Sequence, residues 1–420
     1  MGRTPDALAS GGRRWWVVVV LGVVALCTVL VGATVAERSP LGVYDEWVFL
    51  DAVDKASRAD VAQRGEGIDQ YALHISSCRG VGTSSSVGSP CGGVLEPGAY
   101  PQLGVTTADI HPPVYFVATA AGARVVQVLT PLDEPLDSAR LVGAMWLAAG
   151  VLLVVVLARQ LGASRGAAVL AGLTCLALPL VRSVSTHLTP DALALAVGAG
   201  VAVATVRWRQ GRSWVWMAVA SSVAAAVKAP FVLAVAACVV VVVLVEPRWS
   251  RKVGGAVALA VPCTVVTLVW LQVRERVALG PSPAQAVVLS ELSWQSVLSD
   301  LDVVLGLPTD TCTSPVACAL GLGVGALWGL IGLASLALGV LRPARRQLAA
   351  WWLAVGTAAV AAGPLAQLAL QLATGGVFTT PPRYAVALVP ITAALAMASL
   401  AQTSRHPSRV EDPAPATSTA

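Results

Sequence analysis

Apolar stretches long enough to cross a bilayer recur along most of the chain. They cover residues 15–36, 138–157, 166–183, 190–206, 213–227, 230–245, 253–271, 316–341, 348–372 and 383–401. A helix needs roughly 17–25 mainly apolar residues to span the hydrocarbon. The pattern therefore predicts an all-α polytopic membrane protein with about ten transmembrane helices. An even number of crossings returns the C-terminus to the side of the N-terminus. The expected order is an N-terminal segment 1–14, a first helix 15–36, a large loop 37–137, helices two to seven over 138–271, a second loop 272–315, helices eight to ten over 316–402, and a tail 403–420. The tail's Pro/Ala/Ser/Thr content predicts disorder. The first helix exceeds the apolar core of a cleaved signal sequence, so it is expected to remain as an anchor.

The period changes inside the first loop. From Asp45 onward, Phe49, Leu50, Val53 and Ala56 share one face, with Asp51, Asp54, Lys55 and Arg58 turned outward. That is the signature of a short amphipathic helix. Residues 111–129 are apolar except for Arg124 and Gln127. They are expected to lie at, or dip into, the outer interface rather than cross.

Composition excludes a soluble chain. Hydrophobic residues make up 56% and charged residues 12%, against about 25% charge in soluble domains. The net charge of +5 has meaning only by location. Sixteen of the 28 basic residues fall in the short segments that are cytoplasmic if the N-terminus is inside, among them Arg13, Arg14, Arg207, Arg209, Arg212, Arg342, Arg345 and Arg346. Basic residues collect in cytoplasmic loops, so both termini are expected inside and both large loops outside. Nucleic acid is not an expected partner. Cys78 and Cys91 share the first loop, and Cys312 and Cys318 the second. An outward compartment is oxidising, so two local disulfides are expected. Cys27, Cys175, Cys238 and Cys263 lie in apolar runs and read as small buried hydrophobes.

Candidate chemistry sits at the outer ends of the helices. Asp45 and Glu46 can cap the amphipathic helix and favour its positive end. They can equally serve as general base and as a contact for substrate or a divalent cation, Mg or Mn. His111-Pro112-Pro113-Val114-Tyr115-Phe116 suits an ordinary interfacial helix start, and also places a histidine at the membrane face. Asp191 follows Pro190, which suggests a cap. His187, Lys228 and Arg383-Tyr384 stand at helix ends. A cation as close to hydrocarbon as Lys228 either snorkels to the headgroups or has an anionic partner. Arg383 either anchors at the interface or clamps a phosphate. Phosphate-loop, zinc-protease and nucleophile-elbow motifs are absent from the sequence. Gly321-x3-Gly325-x3-Gly329 lies in an apolar run and reads as helix packing.

This constellation resembles the GT-C superfamily of integral-membrane glycosyltransferases. The resemblance rests on the N-terminal anchor, the Asp45-Glu46 pair, the His111-Pro112-Pro113-aromatic segment leading to Ala139-Arg140-Leu141-Val142-Gly143, Pro190-Asp191-Ala192-Leu193, Lys228 in a helical break, and Pro382-Arg383-Tyr384 before the last run. The bacterial protein-mannosyltransferase-like and uncharacterised predicted-membrane-protein branches are the most similar. The likeness covers roughly residues 15 to 400, and each motif is short. It implies a polyprenyl-phosphate sugar donor, an envelope glycan, glycolipid or protein acceptor, and a plasma-membrane site facing outside. Asp45 would be the base, with Glu46 supporting it. Lys228, Arg383 and His111 would meet the donor phosphate; Tyr384, Tyr115, His187 and Asp191 would line the substrate site. Many members carry a large soluble outer domain after the last span; here acceptor recognition would fall to the two outer loops. The rival is a flippase for a lipid-linked glycan, favoured by midplane charges in inverted repeats; the charges here lie at the outer ends.

The charge pattern makes a direct prediction. Cysteines introduced at Gly211 and Gln347 should resist a membrane-impermeant thiol reagent applied to intact cells, and one at Ser85 should react. Strong labelling at Gly211 would make 111–129 a full crossing and invert the loops that follow it.

Overall fold

The computed structural model describes residues 5–43, 45–82, 87–281, 293, 315–342, 345–374 and 382–403. Among the described residues the chain is helical, with only isolated bridges at Leu41–Val81 and Gly67–Val105. The helices are α1 (Pro5–Ala36), α2 (Glu46–Ser57), α3 (Gln70–Arg79), α4 (Val114–Leu129), α5 (Pro135–Gln160), α6 (Arg165–Cys175), α7 (Pro179–Thr186), α8 (Ala194–Arg209), α9 (Val215–Val227), α10 (Val232–Val245) and α11 (Trp249–Arg276). Helices Pro315–Leu341, Arg346–Thr374 and Val389–Thr403 follow.

All ten apolar runs lie on helices. Among the described residues six stretches are individually long and apolar enough to cross a membrane: Arg13–Ala36, Pro135–Gln160, Pro190–Arg209, Trp249–Arg276, Pro315–Leu341 and Arg383–Gln402. The expected straight run 166–183 is instead the pair α6–α7, bent by 70°. Pro179 opens α7 and has no N–H to continue the ladder, and the residue before a proline avoids helical geometry. A second break falls between α9 and α10, where Lys228 is extended at φ −162° and ψ 131°. α4 has 16 residues, about 24 Å of helix and short of a full crossing.

α1 shows how these helices use their apolar surface. It buries the every-fourth-residue stripe Val19, Val23, Cys27, Val31 and Val35, while Val18, Leu21 and Val29 are exposed. The buried stripe packs on α5, and the remaining faces suit hydrocarbon. α5 and α8 form the centre, with Leu147, Val151, Val154, Val201 and Ala202 in the core. The last described helix lies across α5, α6 and α8. Gly143 permits a close approach of α7 to α5, and Gly198 one of the last segment to α8. A Cβ on Gly143 would stand 2.7 Å from the Ser185 carbonyl oxygen, and one on Gly198 would collide with the Ala387 carbonyl and the Pro390 ring.

The first loop differs from expectation at α2. Asp51 and Lys55, expected outward, are buried. Lys55 pairs with Asp51 at 2.9 Å and with Glu66 at 3.0 Å, because the loop after α2 folds back over them. The Asp69 backbone N–H donates to the other Asp51 oxygen at 2.9 Å. Cys78 and Cys91 form a disulfide beside Arg79, whose guanidinium donates to Asp137 and Glu134 at the start of α5. The loop is thereby tied to the spans. Cys312 lies outside the described residues, as does the tail from 404.

Gly198→Val should overpack the contact with the last helix. We expect a loss on the order of 1–3 kcal/mol, read as a lower midpoint of thermal unfolding in detergent. An unchanged midpoint would show that the contact yields without cost.

Candidate active site

Two buried ion-pair systems meet at one end of the helices. The first is built on Glu46. Arg140, in the first turns of α5, donates from Nε to Glu46 Oε1 and from Nη2 to Oε2, each at 2.8 Å. The Leu188 and Gly42 backbone N–H groups donate to the same carboxylate, each at 2.6 Å. Arg140 spends its other hydrogens on Ser39 and on the Pro40 carbonyl. Burial pushes the Glu46 carboxyl up, but the Arg140 charge and hydrogen bonds, with His187 and Gly42, hold it down at about 2.

Glu46 therefore differs from the expected metal or substrate contact. Its oxygens are committed to four donors from three segments, and it locks α2 to α5. Asp45 is engaged by an arginine rather than by other carboxylates. Among the described residues no group of three or more His, Cys, Asp or Glu could hold a metal ion. The donor set at Asp45-Glu46 does not fit a divalent cation.

The second system links four segments that are remote in sequence. Lys228 Nζ donates to both oxygens of Asp191, at 2.8 and 2.7 Å, and all of it is buried. Arg383 Nη2 donates to Asp45 Oδ2 at 3.3 Å, and Arg383 Nε lies 3.7 Å from Asp191. Lys228 Nζ also sits 5.1 Å from the centre of the Tyr384 ring, a cation–π contact strengthened by desolvation. Local structure explains the placement. Pro230 forbids a continuous helix, so the chain opens at Lys228 and projects the ammonium from the break. Thr189, not Asp191, caps the 3-10 turn Pro190–Leu193, accepting from the Asp191 N–H at 3.3 Å. The cap assignment for Asp191 is corrected accordingly: its carboxylate is left for Lys228.

Asp45 occupies the N-cap position of α2 but makes no side-chain capping bond. Its backbone is left-handed, φ 59° and ψ 27°, a conformation costly for most residues and eased for Asp. The side chain turns to Arg383 and keeps 33% of its surface exposed, against 9% for Arg383 and none for Asp191. Asp45 is thus the open member of the group.

His111 is buried, with its ring 5.7 Å from Phe49. Its Nδ1 has no hydrogen-bond partner among the described residues. Burial, then the Lys228 and Arg383 charges, hold it well below the ordinary imidazole range. Tyr115 is buried edge-on against Phe116. His187 stands apart from the second system: its Nδ1 is 2.8 Å from the Ser183 carbonyl, and it closes the Glu46 side. Arg140 is the functional residue of this site that the sequence pattern does not single out. A charged residue at the head of an apolar run was the available signal.

A family model described as dolichyl-phosphate-mannose-protein mannosyltransferase matches residues 110–270. Among solved structures, ArnT from Cupriavidus metallidurans bound to undecaprenyl phosphate is similar over 92% of this chain, at 19% identity and a TM-score of 0.53. The fold is of the GT-C glycosyltransferase type. The apo state of that ArnT gives a TM-score of 0.51 at 19% identity over 93% of this chain. The chain spans 60% of the length of both ArnT structures. The apo Archaeoglobus fulgidus oligosaccharyltransferase aligns over 91% of this chain and 50% of its own, at 14% identity and a TM-score of 0.41. No curated protein sequence matches the chain. Within the GT-C fold, residues 110–270 carry His111, Arg140, Asp191 and Lys228.

The Glu46 lock has a pH signature. A carboxyl whose folded value is about 2 instead of the usual 4.5 stabilises the fold above the unfolded value, and that contribution is lost as pH falls through 4.5 towards 2. The full effect is roughly 3 kcal/mol. Glu46→Gln should lower the unfolding midpoint at pH 7 and narrow the further loss between pH 5 and pH 3. Equal pH profiles for both proteins would reject the lock.

Proposed function

We propose that the protein transfers a sugar from a polyprenyl-phosphate-linked donor to a hydroxyl of an envelope glycan, glycolipid or protein at the outer face of the plasma membrane. The observation that carries this reading is the paired carboxylate–cation group of Asp45, Arg383, Asp191 and Lys228. It provides an open carboxylate beside two buried cations. ArnT, which shares the fold, binds undecaprenyl phosphate.

The residues divide the chemistry. Asp45 accepts the proton of the acceptor hydroxyl as its oxygen attacks the anomeric carbon. The bond from that carbon to the phosphate oxygen breaks, and the electron pair leaves with the polyprenyl phosphate. Arg383 and Lys228 stabilise the charge that develops there. One displacement inverts the anomeric centre. Asp191 keeps Lys228 charged and aimed, and Tyr384 covers it. Glu46 acts through Arg140, fixing the start of α2 and with it the position of Asp45. The charge pattern of the sequence supports an outer site, since basic residues of short segments collect on the cytoplasmic side.

Asp45→Asn keeps the size of the side chain and its tolerance of the left-handed backbone, which Asn shares with Asp. Transfer in membranes supplied with a polyprenyl-phosphate sugar should fall roughly 10²–10⁴-fold, the usual range for general acid–base catalysis. The lipid-linked donor should accumulate in cells, because its synthesis continues. Normal transfer by well-expressed Asp45→Asn protein would remove Asp45 from the mechanism.

A further inference from the structure

The quartet of Asp45, Asp191, Lys228 and Arg383 is formally neutral, two carboxylates against two cations. The neighbouring ionised groups are neutralised separately. Glu46 is matched by Arg140, and Asp109, two residues before His111, is matched by Arg274 of α11 at 2.6 Å. A phosphate diester entering this group brings one uncompensated negative charge into a site where three of the four members are buried. Such a charge is costly unless a cation comes with it.

One neutral base is within electrostatic reach of the two cations. His111 is buried, and its Nδ1 has no hydrogen-bond partner among the described residues. A buried polar nitrogen without a partner is uncommon in folded proteins and asks for an explanation. Phe49 of α2 covers one side of the ring. Asp60, Trp270 and Phe116 line the small cleft that His111 shares. The charges that bear on the ring are Lys228 from the α9–α10 break and Arg383 before the last helix. Both oppose protonation while the site is empty of anion, and an anion between them reverses the local potential.

We propose that His111 takes up one proton when the lipid-linked phosphate binds, so that donor binding is coupled to pH. This rests on the reading that the site receives a lipid-linked phosphate. The proton comes from solvent and resides on the imidazole, and no covalent bond is made. His111 thereby becomes a third cation that exists only in the bound state. Free protein keeps a neutral core, and the donor complex gains a charge-assisted hydrogen bond to phosphate. The sign follows from linkage: binding with proton uptake weakens as pH rises, by about tenfold per pH unit while the free histidine is neutral and the bound one protonated, and levels off once the bound histidine loses its proton.

The test uses farnesyl methyl phosphate, a phosphodiester whose single charge does not titrate near neutrality. Its binding to the detergent-solubilised full chain is measured by titration calorimetry at pH 7.5, in HEPES and in Tris. The difference in heat between buffers gives the protons exchanged. We expect about one proton taken up by the wild type and none by His111→Gln. His111→Gln should bind about a hundredfold more weakly than the wild type at pH 6.5 and within about twofold of it at pH 8.5. Wild-type binding without proton uptake would overturn the coupling and leave the lipid-phosphate reading intact. Uptake that persists in His111→Gln would also overturn it, placing the proton on a group other than His111. Absence of binding in the wild type would overturn both.

Discussion

A buried ammonium requires an anion, and much of this structure follows from satisfying Lys228. Its two hydrogen bonds to Asp191 set the α9–α10 break and the 3-10 turn before α8 at the same depth. Removing one partner of such a pair typically costs 3–5 kcal/mol, because the other charge is left unpaired. The constraint spreads outward. Asp191 also faces Arg383, Arg383 holds Asp45, and Asp45 is the first residue of the turn into α2. Positions separated by up to 338 residues are thus fixed relative to one another by a few charged atoms.

The adjacent carboxylates Asp45 and Glu46 show how one backbone turn separates two jobs. Glu46 begins the helix and points inward, where Arg140 and two backbone N–H groups saturate it. Asp45, one residue earlier and left-handed, points the other way and retains solvent contact. A saturated carboxylate is a poor base, since its lone pairs are spent and its proton affinity is low. An open carboxylate with one long contact to Arg383 keeps lone pairs for an incoming hydroxyl. The strained conformation of Asp45 is sustained because the Glu46 lock holds the next residue in place.

Length and polarity alone placed helices on all ten apolar runs, and the paired loop cysteines 78 and 91 were legible from their compartment. Asp45, Lys228, Asp191 and Arg383 could be singled out because charge near hydrocarbon is expensive. Their pairing was not legible. Nothing in the local sequence says that Lys228 meets Asp191 rather than the headgroups, since that choice is made by the packing of α8 on α9 and α10. Asp51 and Lys55 misled for a related reason. Their four-residue spacing is that of a solvated surface pair, and only the loop that folds back over them, with Glu66, puts them inside. The α6–α7 bend was visible as Pro179, but hydropathy averages across a proline and reports one straight run. Arg140 carries the same signal as Lys228, a charge heading an apolar helix, but nothing local to it points to Glu46, 94 residues away.

On the proposed reading, the uneven burial of the quartet matters as much as its charges. Lys228 and Asp191 are sealed, so the field they create is not screened by water and does not reorganise during the reaction. Asp45 is the member with solvent access, which suits a group that must receive a proton and later release it. Arg383 lies between them and touches both carboxylates. When a phosphate arrives it competes with Asp45 for this guanidinium, which frees the lone pairs of the Asp45 carboxylate for the acceptor hydroxyl. The donor would in this way activate the group that deprotonates the acceptor, using an ion pair already present before either substrate binds.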